Sequence, residues 1–242
     1  MAHLGQKQPK PGRMLNQSSE DEDLCAPCDE TQVETMNQAL VSSYLGANVI
    51  NSKKGLDSKD VPQHQADQNV GQKTSQARSE LIAAIEATVR QEVAKSPTMK
   101  AIRARLDRFV YDDGPGLASC LVGKPLEARE FTVLASGEQY LGQWLVGTET
   151  RAGIGVAIGV DGSIYQGYWS DNSASGRGRH LYADGDCYTG MYTEGKRHGY
   201  GEYHHSDGTV YKGEWADDRE HGQGRNIWPD GVQYEGAFVG GK

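Results

Sequence analysis

A repeat of about 23 residues organises the C-terminal half of the chain. A Tyr-x-Gly step recurs with spacings of 25, 23, 23 and 23 residues at Tyr140, Tyr165, Tyr188, Tyr211 and Tyr234. A Gly-x-Gly step keeps the same register and begins at Gly153, Gly176, Gly199 and Gly222. Between these steps lies an Asp-Gly dipeptide, at Asp161, Asp184, Asp207 and Asp230. Three signals that share one period indicate a repeat architecture, in which each unit stacks on its neighbours.

Each repeat predicts two short antiparallel strands. Asp-Gly between alternating residues is a strong hairpin signal, because a type I′ turn needs positive φ at both central positions. We therefore expect a tight two-residue turn at each Asp-Gly. Side chains alternate between the two faces of a strand. In the clearest copy, Tyr211, Gly213 and Trp215 consequently share one face, and Lys212 and Glu214 point the other way.

Two aromatic columns follow from this alternation. The first consists of the five tyrosines of the Tyr-x-Gly step. The second lies four residues later, at Trp144, Trp169, Tyr192, Trp215 and Phe238. The glycines leave bare backbone on the same face, against which aromatic rings can lie flat. We expect these ten residues to form an exposed groove that supplies the aromatic anchors of a protein interface.

The repeat resembles the MORN (membrane occupation and recognition nexus) repeat. The stretch from Tyr188 to Gly201 follows that family's skeleton of Tyr-x-Gly-x-Trp, Gly-Lys and Gly-x-Gly closely, with Tyr192 in place of tryptophan. The resemblance covers about residues 131–242 and implies a mainly β protein: an elongated, single-layer antiparallel sheet of about five hairpins. It also implies a role in a cytoskeletal, ciliary or organellar assembly, since MORN proteins of known role are often scaffolds of that kind or tethers between membranes.

The first repeat departs from the pattern. Its hairpin lacks the Gly-x-Gly pair and has Ser136-Gly137 in place of Asp-Gly. Two extra residues near 146–151 predict a longer loop there. The last strand is expected to present an open edge, which a partner or a second copy of the chain could pair with by β-augmentation; alternatively, the chain is a fragment of a longer gene product.

The sequence before the repeats predicts helices and disorder. Residues 1–75 are polar and nearly free of aromatic residues, so we expect a largely disordered extension with a docking helix at 31–45. Residues 76–113 predict an amphipathic helix pair, and 114–130 a connector. The first helix has an apolar stripe at Leu81, Ile82, Ile85, Val89 and Val93. The second begins at Ser96-Pro97 and presents Ile102, Leu106, Phe109 and Val110 on one side.

Two interpretations of the helix pair remain open. The pair could cover one face or end of the sheet, or it could be a partner-binding or coiled-coil segment. The aromatic groove could itself take up residues 76–110.

Charge and composition argue against several classes of function. The net charge is −8, and residues 131–242 carry 15 acidic against nine Lys and Arg residues. A nucleic-acid binder would show a basic face, and anionic membranes attract basic clusters, so we expect no nucleic-acid partner and do not favour membrane contact. The sequence has no apolar run long enough to span a membrane. Four cysteines do not form a disulfide framework, and a reducing, cytoplasmic compartment is the default.

Several motifs resemble catalytic or metal sites without the context that such sites need. Cys25 and Cys28 form a Cys-x-x-Cys pair, but no strand precedes it, and its acidic neighbours disfavour a thiolate. His204 and His205 point to opposite faces of a strand, so they cannot bind one metal ion together. The turn aspartates have no partner carboxylates in a cleft, and no Lys-Ser/Thr follows the Gly-x-Gly steps. We therefore expect no catalytic, cofactor-binding or metal-binding residues and no small-molecule substrate.

Three hypotheses for function follow. The first is a non-enzymatic scaffold that binds partner proteins through the aromatic groove and the open sheet edge. The second is a phosphoinositide-binding or lipid-kinase-associated module. The third is the regulatory part of an enzyme whose catalytic domain would lie beyond residue 242. The first fits the residues best, with a cytoplasmic, cytoskeletal or ciliary location.

Overall fold

The computed structural model describes residues 63–111 and 124–242, with side chains from residue 74 onward. The predicted docking helix at 31–45 lies outside the described residues, and so do Cys25, Cys28 and Cys120.

The described residues form two helices and ten strands. The helices are α1 (Gln63–Lys95) and α2 (Pro97–Arg103). The strands are β1 (Leu126–Val133), β2 (Gln139–Leu145), β3 (Arg151–Ile158), β4 (Ile164–Ser170), β5 (Ser173–Leu181), β6 (Cys187–Thr193), β7 (Lys196–His204), β8 (Val210–Ala216), β9 (Arg219–Ile227) and β10 (Gln233–Phe238). All ten strands form one open antiparallel sheet in sequence order, which confirms the predicted fold class. The helical part begins before the predicted boundary at 76, and the sheet begins before the predicted boundary at 131.

The turn chemistry differs from the prediction. At Asp161-Gly162, only the glycine has positive φ, and hydrogen bonds from Gly159 N to Ser163 O and from Gly162 N to Gly159 O enclose a longer loop. Such loops use a type I turn followed by one left-handed residue, so the expected two-residue type I′ turn at Asp-Gly is wrong. Both residues have positive φ instead in the two-residue turns that join β4 to β5, β6 to β7 and β8 to β9, at Asp171-Asn172, Glu194-Gly195 and Asp217-Asp218.

The two glycines of each Gly-x-Gly step have different roles. Gly222 has φ of 61° and lies at a register shift between β8 and β9, where a left-handed glycine forms a β-bulge. Gly224 pairs with Gly213, and a Cβ atom at either position would lie 2.5 Å from the hydroxyl oxygen of Tyr211. The first glycine therefore bends the strand, and the second leaves room for the tyrosine ring.

The sheet has one aromatic face and one aliphatic face. The aromatic face carries both predicted columns, and nine of their ten residues form one continuous buried cluster. The opposite face is aliphatic in β2–β6, where it presents the buried residues Leu141, Ile154, Val156, Ile164, Leu181 and Cys187. The helices pack there through Leu81, Ile85, Val89, Val93, Met99 and Ile102.

The position of the helices decides between the two interpretations of the helix pair. The structure confirms the first interpretation, in which the helix pair covers one face of the sheet. The expectation that the aromatic groove takes up residues 76–110 is wrong, because the rings already fill the aromatic face. The aliphatic face offers the matching apolar surface.

The second helix is shorter than predicted. Ser96 caps it by accepting a hydrogen bond from Met99 N at 3.3 Å, and Pro97 occupies its first turn, as expected. The helix ends at Arg103, and residues 107–111 belong to neither a helix nor a strand. Phe109 and Tyr111 are buried while Val110 is exposed, and this alternation fits an extended segment rather than a helix.

Candidate functional site

The tyrosine column follows one geometric rule. Each ring lies along its own strand and its hydroxyl donates a hydrogen bond to the carbonyl oxygen three residues later. The distances are 3.1 Å for Tyr140 to Gln143, 3.0 Å for Tyr165 to Tyr168, 3.0 Å for Tyr188 to Met191, 2.9 Å for Tyr211 to Glu214 and 3.4 Å for Tyr234 to Ala237. Burial raises the pKa of Tyr211 to about 12, so its hydroxyl stays protonated and remains a donor at neutral pH.

The second column links each tyrosine to the next repeat. Tyr188 lies 5.2 Å from Tyr192 of its own strand and 5.1 Å from Trp215 of the next repeat, measured between ring centroids. Both contacts are edge-to-face, an arrangement that stabilises aromatic pairs by about 0.5–1.5 kcal/mol beyond their buried area. The other repeats show the same pairs. One unbroken series of rings therefore connects the repeats.

Because of this packing, most of the ten predicted partner-binding residues are not accessible to a partner. Nine of them are buried among one another, and only Tyr234 in the last strand is exposed, at 47%. The expectation of exposed columns is wrong, because neighbouring rings cover one another both within a repeat and between successive repeats. These residues form the floor of the aromatic face, and a partner would contact the side chains above them.

Three arginines lie above this floor, and sequence reasoning missed them. The guanidinium carbon of Arg129 lies 4.8 Å from the ring centre of Trp144, and the other two arginines share a repeat position. The guanidinium carbon of Arg151 lies 4.2 Å from the ring centre of Trp169, and that of Arg197 lies 4.5 Å from Trp215. Each guanidinium also donates to a turn carbonyl, from Arg151 to Asn172 at 3.0 Å and from Arg197 to Asp218 at 2.8 Å. Arg151 and Arg197 each lie at the beginning of a strand, two positions before a Gly-x-Gly step, and that shared position was the available signal.

The same repeat position is not always an arginine. It is occupied in order by Arg151, Ala174, Arg197 and Glu220. Ala174 pairs with Trp169 across β4 and β5, as Arg197 pairs with Tyr192 across β6 and β7. Beside Ala174 lies a cavity of about 330 Å³, which we call the Ala174 slot. Its lining includes Tyr165, Trp169, Ala174, His180, Tyr192 and Gly195.

His180 is neutral at the wall of this slot. Burial lowers its pKa to about 4, with a further lowering from the charge of Arg197 against the opposing effect of Asp161. At neutral pH the slot therefore contains an uncharged imidazole between aromatic rings.

The helix side of the sheet has a basic cleft of about 540 Å³, which we call the arginine cleft. It is lined by Arg105, Arg108, Arg177, Arg179 and Lys212, together with acidic Asp107 and Glu202. Arg179 is 4% exposed and donates hydrogen bonds of 2.8 Å to Thr189 Oγ1 and to the carbonyl oxygen of Asp107. Burial lowers the pKa of Arg179, and the charges of Arg103 and Arg177 lower it further.

The residues considered for chemistry have structural contacts. Each turn aspartate accepts a hydrogen bond from a backbone amide two residues later, as Asp207 does from Thr209 N at 2.7 Å. His204 contacts Glu202 at 3.3 Å, and His205 contacts Asp186 at 3.2 Å. Burial raises the pKa of Cys187 to about 11, so its thiol stays protonated beneath the helices. Along the described residues, no helix combines the length and apolarity that a membrane-crossing segment needs.

The geometry defines a class of protein: an open, stacked-hairpin repeat sheet with a continuous aromatic face. Comparison with protein families identifies the repeat. The family model of the MORN repeat matches residues 165–187, 188–210 and 211–233, so the chain carries three consecutive MORN repeats. MORN repeats occur in protein-interaction and membrane-binding proteins. No curated protein matched the chain in the search.

Proposed function

We propose that this chain is a non-enzymatic scaffold that binds partner proteins on the aromatic face of its sheet. Its partners would be subunits of a large cytoplasmic assembly of the cytoskeletal or ciliary kind. Interaction through the sheet edges, β1 and β10, would add a second contact, because each of these strands pairs on one side only within the described sheet.

The observation that carries this proposal is the contrast between the two faces. The helices cover the aliphatic face across β2–β4. The aromatic cluster, by contrast, consists of residues from the strands and their turns, and no residue of the described helices belongs to it. The rings make this face rigid, and rigid aromatic surfaces bind partners with little loss of conformational freedom. The half-buried Tyr203 and His180 give it polar groups beside the apolar floor.

Affinity purification of the full chain from its source cells tests the proposal. Asn226 lies on the aromatic face of β9, opposite Tyr211 and Tyr234, and is half-buried. Asn226→Arg places a long cation on the proposed surface. We expect this variant to lose the proteins that the wild type retains, because the added side chain blocks close approach.

The matched control is Gln223→Arg. Gln223 lies on the same strand, is exposed and faces the other side of the sheet, opposite Ala237. It should retain the partners. Retention by both variants would exclude the aromatic face, and recovery of a monomer without any bound protein would exclude the scaffold. Light scattering of the purified chain separates self-association from binding of other proteins.

The arginine cleft supports a second candidate, contact with anionic membranes. Five cationic side chains line this cleft against two carboxylates, Asp107 and Glu202, of which Glu202 pairs with Lys212 at 3.0 Å. The lining is therefore locally positive, which the overall charge of −8 does not predict. Flotation with liposomes tests this function. Binding to phosphatidylserine vesicles that weakens with salt, and that is lost in Lys212→Glu, would favour the membrane over a protein partner. Equal flotation of the wild type and this variant would argue against the cleft.

A further inference from the structure

The Ala174 slot is the gap in a series of guanidinium sites. At the equivalent position on either side of it in the sequence, Arg151 and Arg197 place a guanidinium over the ring of the next repeat. By the same register, an arginine at position 174 would reach over Tyr192 and Tyr165. Alanine leaves that space open, and the cavity of about 330 Å³ lies there.

The slot retains the groups that the two arginines use. Arg151 and Arg197 donate to the carbonyl oxygens of Asn172 and Asp218, and the equivalent turn residue at the slot is Gly195. The ring of Tyr192 takes the place of Trp169 and Trp215 as the aromatic surface. Cations bind over such ring faces, and arginine does so more often than lysine.

The charges around the slot do not oppose a cation. Glu138 lines the slot and pairs with Arg151 at 2.9 Å, so the neighbouring positive charge is already compensated. Asp218 compensates Arg197 at 3.1 Å on the other side. His180 is neutral there and adds no repulsive charge.

We propose that the Ala174 slot receives the guanidinium of an arginine side chain from a partner protein. The arginine would complete the series formed by Arg151 and Arg197, with its plane over Tyr192 and a hydrogen bond to the carbonyl oxygen of Gly195. This inference rests on the proposed scaffold function and identifies the anchor residue of the partner.

A small probe tests the slot without any partner. The probe is Nα-acetyl-arginine N-methylamide, titrated into the full-length protein while backbone amide resonances are recorded by NMR. We expect saturable shifts at Tyr192 and Gly195 with a dissociation constant on the order of millimolar, since one cation over a ring gives weak affinity. The citrulline analogue keeps the shape but not the charge and should bind at least about tenfold more weakly.

A variant that fills the slot provides the second measurement. Ala174→Arg should abolish probe binding and raise the Tm, because its own guanidinium would occupy the site. Ala237→Arg introduces the same substitution in β10, on the face of the sheet that lies away from the aromatic rings, and should leave probe binding unchanged. The Tm of this control should not rise.

Three results would overturn the proposal that the slot receives an arginine side chain. They are the absence of saturable shifts at Tyr192 and Gly195, equal binding of the citrulline analogue, and a lowered Tm with unchanged probe binding in Ala174→Arg. Because the probe needs no partner, these failures concern the slot alone. Failure of the scaffold function would appear separately, as the absence of captured proteins.

Discussion

The hydroxyl of Tyr211 donates a 2.9 Å hydrogen bond to the carbonyl oxygen of Glu214, three residues further along β8. This bond holds the ring against the backbone of Gly213 and Gly224. The Tyr-x-Gly-x-Trp pattern is thus one packing unit: the tyrosine ring needs both glycines, and the next aromatic residue packs against its edge.

Gly224→Ala should destabilise the sheet through this contact. The added Cβ atom would lie 2.5 Å from the Tyr211 hydroxyl oxygen, so the ring or the strand must move. We expect a loss of about 1–3 kcal/mol in unfolding free energy, measured by urea denaturation. In the background of Tyr211→Ala the same change should cost much less, since the ring is gone. Additive costs in this double-mutant cycle would contradict the proposed packing unit.

Arg197→Ala should destabilise the protein more than Lys196→Ala, although the two residues are neighbours. Arg197 stacks on Trp215 and pairs with Asp218, and its side chain is 20% exposed. Lys196 is 3.7 Å from Asp217, and both side chains are largely exposed. We expect a loss of about 1–2 kcal/mol for Arg197→Ala and under about 0.5 kcal/mol for Lys196→Ala. Equal effects in thermal unfolding would show that the stacking contributes little.

Ile85→Ala should loosen the helices from the sheet. Ile85 is fully buried between α1 and the aliphatic face, and Leu, Ile or Met to Ala changes at such sites cost about 2–5 kcal/mol. Cys187 lies in the same cluster and reports on this contact.

Labelling of Cys187 measures the loosening directly. In a background where Cys25, Cys28 and Cys120 are serine, Ile85→Ala should react faster than the parent with a thiol reagent. The substitution Lys95→Ala, at an exposed residue of the same helix, is the control and should react at the parental rate. An unchanged rate in Ile85→Ala would mean that the helices do not control access to Cys187.

His180 should make the protein less stable as the pH falls. Its pKa is lowered to about 4 from 6.5 by burial, so the unfolded chain binds the proton more readily than the folded one. Stability from the neutral imidazole is present above about pH 6.5 and is lost as the pH falls towards 4. We expect an effect on the order of 1–3 kcal/mol across this window.

The measurement compares Tm against pH for the wild type and for His180→Gln. The difference between the two curves should grow between pH 6.5 and 4, because glutamine has no proton to bind. Curves that stay parallel across this window would contradict a buried, neutral His180.

The period of the sequence determined the repeat, the antiparallel order of the sheet and the shared face of the two aromatic columns. These features depend on the alternation of side chains along a strand, which is a local property. The same pattern could not show that the rings of successive repeats cover one another. That outcome depends on distances between strands, and it turned the predicted exposed groove into a buried floor.

Only the tertiary structure decided which face the helices cover. By pattern alone, the apolar stripe of α1 fits either face of the sheet. The rings fill one face, whereas Leu141, Ile154 and Ile164 form an apolar surface on the other face, which the helices cover. The tertiary structure also decided which dipeptides form the two-residue turns, since Asp171-Asn172 and Asp217-Asp218 adopt positive φ where Asp161-Gly162 does so only at its glycine. Local sequence sets the strands, whereas the packing of side chains from successive repeats decides that the space beside Ala174 stays open.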